Sequence, residues 1–217
     1  MYCYMQILFP EGKTLDFNQE KRNETKQERK YTPQQTLFKE ARDIIVVLLV
    51  FMLVYILCFR MVIVVGGSMY DTLVNGDRLI LISNVLYRNP KAGDIVVASK
   101  DSFRDGECIV KRVIATEGQE VDIDFTNGNV YVDGVLLEED YIYTPTMLYE
   151  GVSFPLVVEE GCIFVMGDNR MDSKDSRSTE IGLIDCREIL GKAVFLLFPG
   201  KDAISGKLDL GRIGGLY

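Results

Sequence analysis

Between Ile44 and Phe59 the chain runs sixteen residues without a charge, and Tyr55 and Cys58 are the only mildly polar members. No other run in the sequence approaches it. At about 1.5 Å per residue a helix of that length spans about 24 Å, a little short of a hydrocarbon core of about 30 Å. Arg60 can snorkel back to the interface, and Met61 and Val62 extend the span. A cleaved signal peptide would start earlier, be shorter and end on small residues. The run therefore reads as a retained transmembrane helix over residues 43–62.

Lys21, Arg22, Lys26, Arg29, Lys30, Lys39 and Arg42 crowd ahead of the run, and Arg60 alone follows it closely. By the positive-inside rule, residues 1–42 form a cytoplasmic polar tail and residues 63–217 lie outside the cell membrane. With Thr32 as a cap, Leu37, Phe38, Ala41 and Ile44 recur at helical spacing, so an amphipathic helix leads into the membrane from Pro33.

The formal charge of −8 is unevenly spread: residues 1–60 hold nine Lys/Arg against seven Asp/Glu, which leaves fifteen against twenty-five beyond them. An acidic outer part is a poor partner for nucleic acid. Histidine is absent, which removes Ser-His-Asp and Cys-His chemistry and most zinc sites. Cys3, Cys58, Cys108, Cys162 and Cys186 show no C-x-x-C spacing, so they are expected as buried free thiols in apolar strands rather than a metal or disulfide framework. No cofactor and no metal is expected.

Beyond residue 61 the sequence reads as β-structure. Residues 78–83, 94–98, 162–166 and 192–198 are apolar runs of strand length. Val121, Ile123 and Phe125 alternate with acidic residues, followed by Asn127-Gly128, then Val130 and Val132 up to Asp133-Gly134. Both dipeptides tolerate positive φ, which predicts a hairpin. A single antiparallel β-domain of about 150 residues is the economical expectation.

Three segments carry candidate chemistry. In Gly66-Gly67-Ser68-Met69, two glycines precede a hydroxyl and let the backbone approach a ligand. Without histidine, a base for that serine must be a carboxylate or a lysine of lowered pKa. Lys111 stands among apolar neighbours in Cys108-Ile-Val-Lys-Arg-Val-Ile114, so on a strand it can face an apolar site while Arg112 faces away. Lowering a lysine from about 10.4 to about 8 takes roughly 3 kcal/mol, which burial can supply. The segment from Gly167 to Arg177 is dense in hydrogen-bonding groups directly after an apolar strand. Taken singly, these segments read equally well as a glycine turn, an edge-strand lysine and an Asx-rich surface loop.

Together they resemble one family, the type I signal peptidases, membrane-bound serine proteases that use a Ser/Lys dyad. Ser68-Met69-x-x-Thr72-Leu73, Gly76-Asp77, Lys111-Arg112-Val113-Ile114 and Gly167-Asp168-Asn169-Arg170 with Ser173, Asp175, Ser176 and Arg177 are similar to that family's boxes, in its order. Asp71, Ala115 and Glu117-Gly118-Gln119 depart from the pattern, and Gly66 offers no hydroxyl to an oxyanion hole.

The resemblance implies that Ser68 is the nucleophile, Lys111 the general base and Ser173 a hydroxyl holding the amine. It implies structural ion pairs Asp168 with Arg112 and Asp175 with Arg177. A pocket for the small residue before the scissile bond would be walled by Val64, Met69, Leu73, Ile109 and Val110. The implied fold is a mainly β catalytic domain, an antiparallel sheet or partly open barrel, behind one transmembrane helix. Implied partners are signal peptides of secretory preproteins with small residues at −3 and −1, the lipid bilayer, and the nearby protein translocation channel. The rival is an inactive homologue that uses the same groove as an assembly factor for surface proteins.

The basic flank gives a direct test of topology. Protease added to intact protoplasts is expected to degrade residues 61–217 and spare the tail; a protected C-terminal domain would overturn the orientation.

Overall fold

The computed structural model describes residues 33–100, 106–202 and 204–216. The tail through residue 32, with Cys3 and the capping Thr32, lies outside the described residues. Helix α1 spans Pro33–Cys58, and its stretch Thr36–Cys58 is long and apolar enough to cross a membrane. At about 1.5 Å per residue, 23 residues reach about 34 Å. The helix stops short of the boundary expected at 62, because strand β1, Phe59–Ile63, pairs with β2, Arg78–Ser83. The missing length is made up at the N-terminal end, from Thr36.

Ten further strands follow: β3 Ile95–Ser99, β4 Cys108–Thr116, β5 Glu120–Asp124, β6 Asn129–Val132, β7 Val135–Leu136, β8 Leu156–Val157, β9 Cys162–Met166, β10 Ile184–Asp185, β11 Ile189–Phe198 and β12 Gly214–Gly215. All named pairings are antiparallel. The larger sheet has the order β1-β2-β11-β3-β4-β9-β10 with β12 on β11, and the smaller is β7-β6-β5-β8. Neither closes, since β1 and β10 remain the ends of the larger sheet. The architecture is thus two open sheets rather than a barrel.

Side-chain alternation explains the layering. On β3, Ile95 and Val97 join Leu79, Leu81 and Leu196 on one face, while Val96 and Ala98 join Val113, Val165 and Ile189 on the other. A third cluster joins the two sheets: Phe164 and Met166 of β9 pack with Val121, Ile123 and Val130 of the smaller one. The hairpin turn between β6 and β7 is Asp133-Gly134, both at positive φ as a two-residue turn of this twist requires. At Asn127-Gly128 only the glycine has positive φ, because the Asp124 carboxylate accepts from the Thr126 and Asn127 amides and shapes a longer loop.

The thiols differ from expectation. Cys108 is exposed and Cys58, Cys162 and Cys186 are half-buried, all free. Cys108 and Cys162 open their strands rather than lying mid-strand, where burial is greatest.

Phe164 is fully buried and stacks edge-on against Phe154. Phe164→Ala is expected to cost about 3–5 kcal/mol of stability in denaturant unfolding of the detergent-solubilised chain. A loss under about 1 kcal/mol would show that the third cluster does not bind the sheets together.

Candidate active site

The chain leaves β1 still tied to the sheet region, with Val64 N–H donating to Asp77 O and Gly76 N–H donating to Val64 O, each at 2.8 Å. Gly66 then takes a φ of +95°, open to glycine, and its N–H donates to the Asn75 side-chain oxygen. That turn delivers Ser68. Asn169 fastens it from below, its backbone N–H donating to Ser68 O and its side-chain amide to Gly67 O.

Lys111 sits mid-strand on β4 with 4% of its surface exposed. Its Nζ lies 2.7 Å from Ser68 Oγ and donates to Val110 O at 3.1 Å. Burial drives its pKa down to about 8, against the Asp175, Asp168 and Glu150 carboxylates, which raise it, while Arg177 helps to lower it.

A buried lysine whose amine meets a serine hydroxyl, with a polar loop leaving the neighbouring strand β9, is an arrangement on which family membership bears directly. A family model described as "Signal peptidase, peptidase S26" matches residues 37–198, about three quarters of the chain. The chain belongs to that family. Among its relatives, a probable signal peptidase I-1 of Synechocystis sp. is 39% identical over 145 residues, covering 63% of this chain and 69% of that one. Signal peptidase I of Bacillus licheniformis is 33% identical over 181 residues, covering 80% and 95%. A solved signal peptidase I of Enterococcus faecalis V583 is 30% identical, covers 48% of this chain and 96% of its own, and has a TM-score of 0.40.

In this S26 peptidase the residue after the lysine faces the other way. Arg112 donates to both oxygens of Asp168, at 2.9 and 2.6 Å, and its guanidinium lies 4.0 Å over the Tyr141 ring. Asp168 also accepts from the Thr72 hydroxyl at 2.6 Å, which ties the turn of Ser68 to the strand of Lys111. In the polar loop, Arg177 grips Asp175 through Nε and Nη2, each at 2.8 Å, with both side chains fully buried. Burial works to raise the Asp175 pKa, but Arg177, the Gly167 amide and the Ser173 hydroxyl outweigh it and hold the carboxyl below its usual range.

Ser173 is placed differently from the expectation. Its hydroxyl donates to Asp175 at 2.7 Å, and the hydrogen bonds of Lys111 go to Ser68 and Val110 instead. A charged carboxylate is the stronger acceptor for that hydroxyl. Ser173 still lies against the dyad: a Cβ on Gly167 would collide with Ser173 Oγ and Ser68 O, so only glycine fits between them.

A cavity of about 440 Å³ opens over Ser68 and Lys111, walled by Val64, Met69, Ile109 and Val110. Leu73 is not part of that wall; it is fully buried in the core beneath, packed with Val64 and Met69. The opposite rim comes from Leu148, Glu150, Met171, Asp172 and Lys174. Sequence reading missed Leu148 and Glu150, which lie in an aperiodic stretch with no motif. Also missed was the buried pairing of Arg170 with Glu139 and Thr146, which anchors residues 139–146 to the polar loop. Among the described residues no group of three His, Cys, Asp or Glu side chains is arranged to hold a metal.

The active form of such an amine is the neutral one. Below a pKa of about 8 it is an ammonium and cannot take a proton, so kcat/KM is expected to rise with pH through an apparent pKa of about 8 and then level off. A profile governed only by a group near 6 or at a free lysine's value would contradict a desolvated base.

Proposed function

We propose that the chain removes N-terminal signal peptides from secreted preproteins, with Ser68 as nucleophile and Lys111 as general base. The observation that carries this reading is the 2.7 Å contact between Lys111 Nζ and Ser68 Oγ at the floor of a cleft with an apolar wall of Val64, Met69, Ile109 and Val110. Neutral Nζ accepts the hydroxyl proton as Oγ attacks the scissile carbonyl carbon. The oxyanion that forms is met by the Ser68 N–H, which has no acceptor among the described residues. As the C–N bond breaks, Nζ returns the proton to the leaving amine, and an ester on Ser68 remains. Water then gives a proton to Nζ and attacks the ester; Nζ passes that proton to Oγ as the C–O bond breaks, and the signal peptide leaves as a carboxylic acid that loses its own proton to solvent.

Substrate lying extended between residues 64–66 and 108–110 would gain affinity from backbone pairing, as in other strand-addition modes. The shallow walls of Val64, Met69, Ile109 and Val110 suit small side chains at −1 and −3. In this reading α1 is the membrane anchor, the N-terminus is cytoplasmic and the β-domain lies outside, close to the translocation channel. Sharing a bilayer with the signal peptide raises effective concentration without any new contact. A groove that only bound peptide, as a non-cleaving assembly factor would, has no use for an amine held against the serine hydroxyl.

Ser68→Ala and Lys111→Ala are each expected to abolish cleavage of a fluorogenic signal-peptide substrate in folded protein, and the double variant to lose little more. Lys111→Arg should be nearly as damaging, since a guanidinium stays protonated. Ser173→Ala removes a donor to Asp175 rather than to the amine, and a loss of roughly ten- to a hundredfold is expected. Substantial turnover by purified Lys111→Ala would refute the dyad.

A further inference from the structure

The segment past residue 198 returns across the turn that carries Ser68. Gly214–Gly215 adds to the edge of β11, the Leu216 N–H donates to Val194 O, and the Leu216 side chain packs on the cluster that holds Val64, Met69 and Leu73. Before that strand it makes five hydrogen bonds with residues 70–77. Tyr70 OH donates to Asp202 at 3.2 Å. Gly200 N–H donates to Asp77 Oδ1 at 2.6 Å. Arg212 donates to both oxygens of Asp77, at 3.1 and 2.8 Å, and to the Thr72 carbonyl at 3.0 Å.

Asp77 is fully buried and is the hub of the turn. Besides Arg212 and Gly200 it accepts from the Val74 N–H at 2.9 Å, so one carboxylate fixes the turn's backbone and the returning segment together. The approach is close enough to select the residue. A Cβ on Gly200 would collide with the Asn75 carbonyl and sit 2.9 Å from Asp77 N. Thr72, held at its carbonyl by Arg212, is the residue whose hydroxyl reaches Asp168, the partner of Arg112 beside Lys111. The Arg212 contacts therefore act on both halves of the dyad through one turn.

We propose that residues 199–202 and 204–216 form a strap whose Arg212 is a positioning residue for Ser68, holding the nucleophile's turn against the Lys111 strand through Asp77 and Thr72. Arg212 touches neither dyad side chain by any hydrogen bond or ion pair, and its effect passes through the turn. This rests on the reading of Ser68 and Lys111 given above. A displaced nucleophile loses transition-state geometry more than it loses peptide binding, so the strap acts on kcat.

The test uses the full detergent-solubilised chain and a fluorogenic signal-peptide substrate. Arg212→Ala is expected to lower kcat by about ten- to a hundredfold with KM within about threefold of wild type. The rise of activity with pH should keep its midpoint of about 8, because the environment of Lys111 is left in place. Side-chain accessibility of 24% leaves room for a small cation, so added guanidinium, far below unfolding concentrations, should restore part of the lost kcat. Arg212→Lys should fall between wild type and Arg212→Ala. Gly200→Ala lifts the strap without stranding a charge, and keeps the test alive if Arg212→Ala does not fold; it should also lower kcat rather than raise KM. Folded Arg212→Ala or Gly200→Ala protein with kcat within about twofold of wild type would overturn the strap's role, as would a loss that follows only the unfolded fraction and ignores guanidinium. Wild type and Ser68→Ala, run alongside, separate the two readings: cleavage by the first and none by the second upholds the dyad whatever the strap variants do.

Discussion

The burial of one amine organises this structure. Lys111 is almost out of solvent, hydrogen-bonded among the described residues to a hydroxyl and a backbone carbonyl, and no carboxylate takes it directly. A direct ion pair would stabilise the ammonium and raise its pKa, leaving little free base near neutral pH. Desolvation without a close counter-charge does the opposite. The fold has to surround the amine with polar groups that are already satisfied.

Four arginines meet that requirement. Arg112 with Asp168, Arg170 with Glu139, Arg177 with Asp175 and Arg212 with Asp77 form ion pairs in and around the two loops that bear on the dyad. Each guanidinium occupies its carboxylate, so the acids shape loops and turns instead of competing for Lys111. Such pairs add little net stability over apolar packing, yet breaking one leaves a buried charge alone at a cost of about 3–5 kcal/mol. They hold geometry. Asp168 shows how: it accepts from Arg112 beside Lys111 and from Thr72 in the turn of Ser68, so one carboxylate bears on both.

The sheet supplies the rigid side of the arrangement. β4 pairs with β3 on one edge and β9 on the other, which fixes the height of Lys111, and the polar loop leaves directly from the end of β9. Ser68, by contrast, stands on a turn outside any strand. Its turn is held by Asn75 nearby in the chain and by Asn169 and Arg212 from distant parts of the sequence.

Sequence alone determined whatever depends on local pattern. The uncharged run makes a helix of membrane length, an unbroken apolar run makes β3 a strand buried on both faces, and Asp133-Gly134 makes a two-residue turn because both residues accept positive φ. The alternation around Lys111 likewise separates it from Arg112. Tertiary structure decided what depends on distant partners. The hydroxyl of Ser173 turns to Asp175 because a charged acceptor lies within reach, Leu73 sinks into the core because its turn packs that way, and the sheets stay open because no strand among the described residues bridges β1 to β10. Glu150 on the cleft rim and Arg212 on Asp77 carry no local signal at all, since Glu150 meets Lys174 and Arg177 of another loop and Arg212 reaches Asp77 across 135 residues of chain.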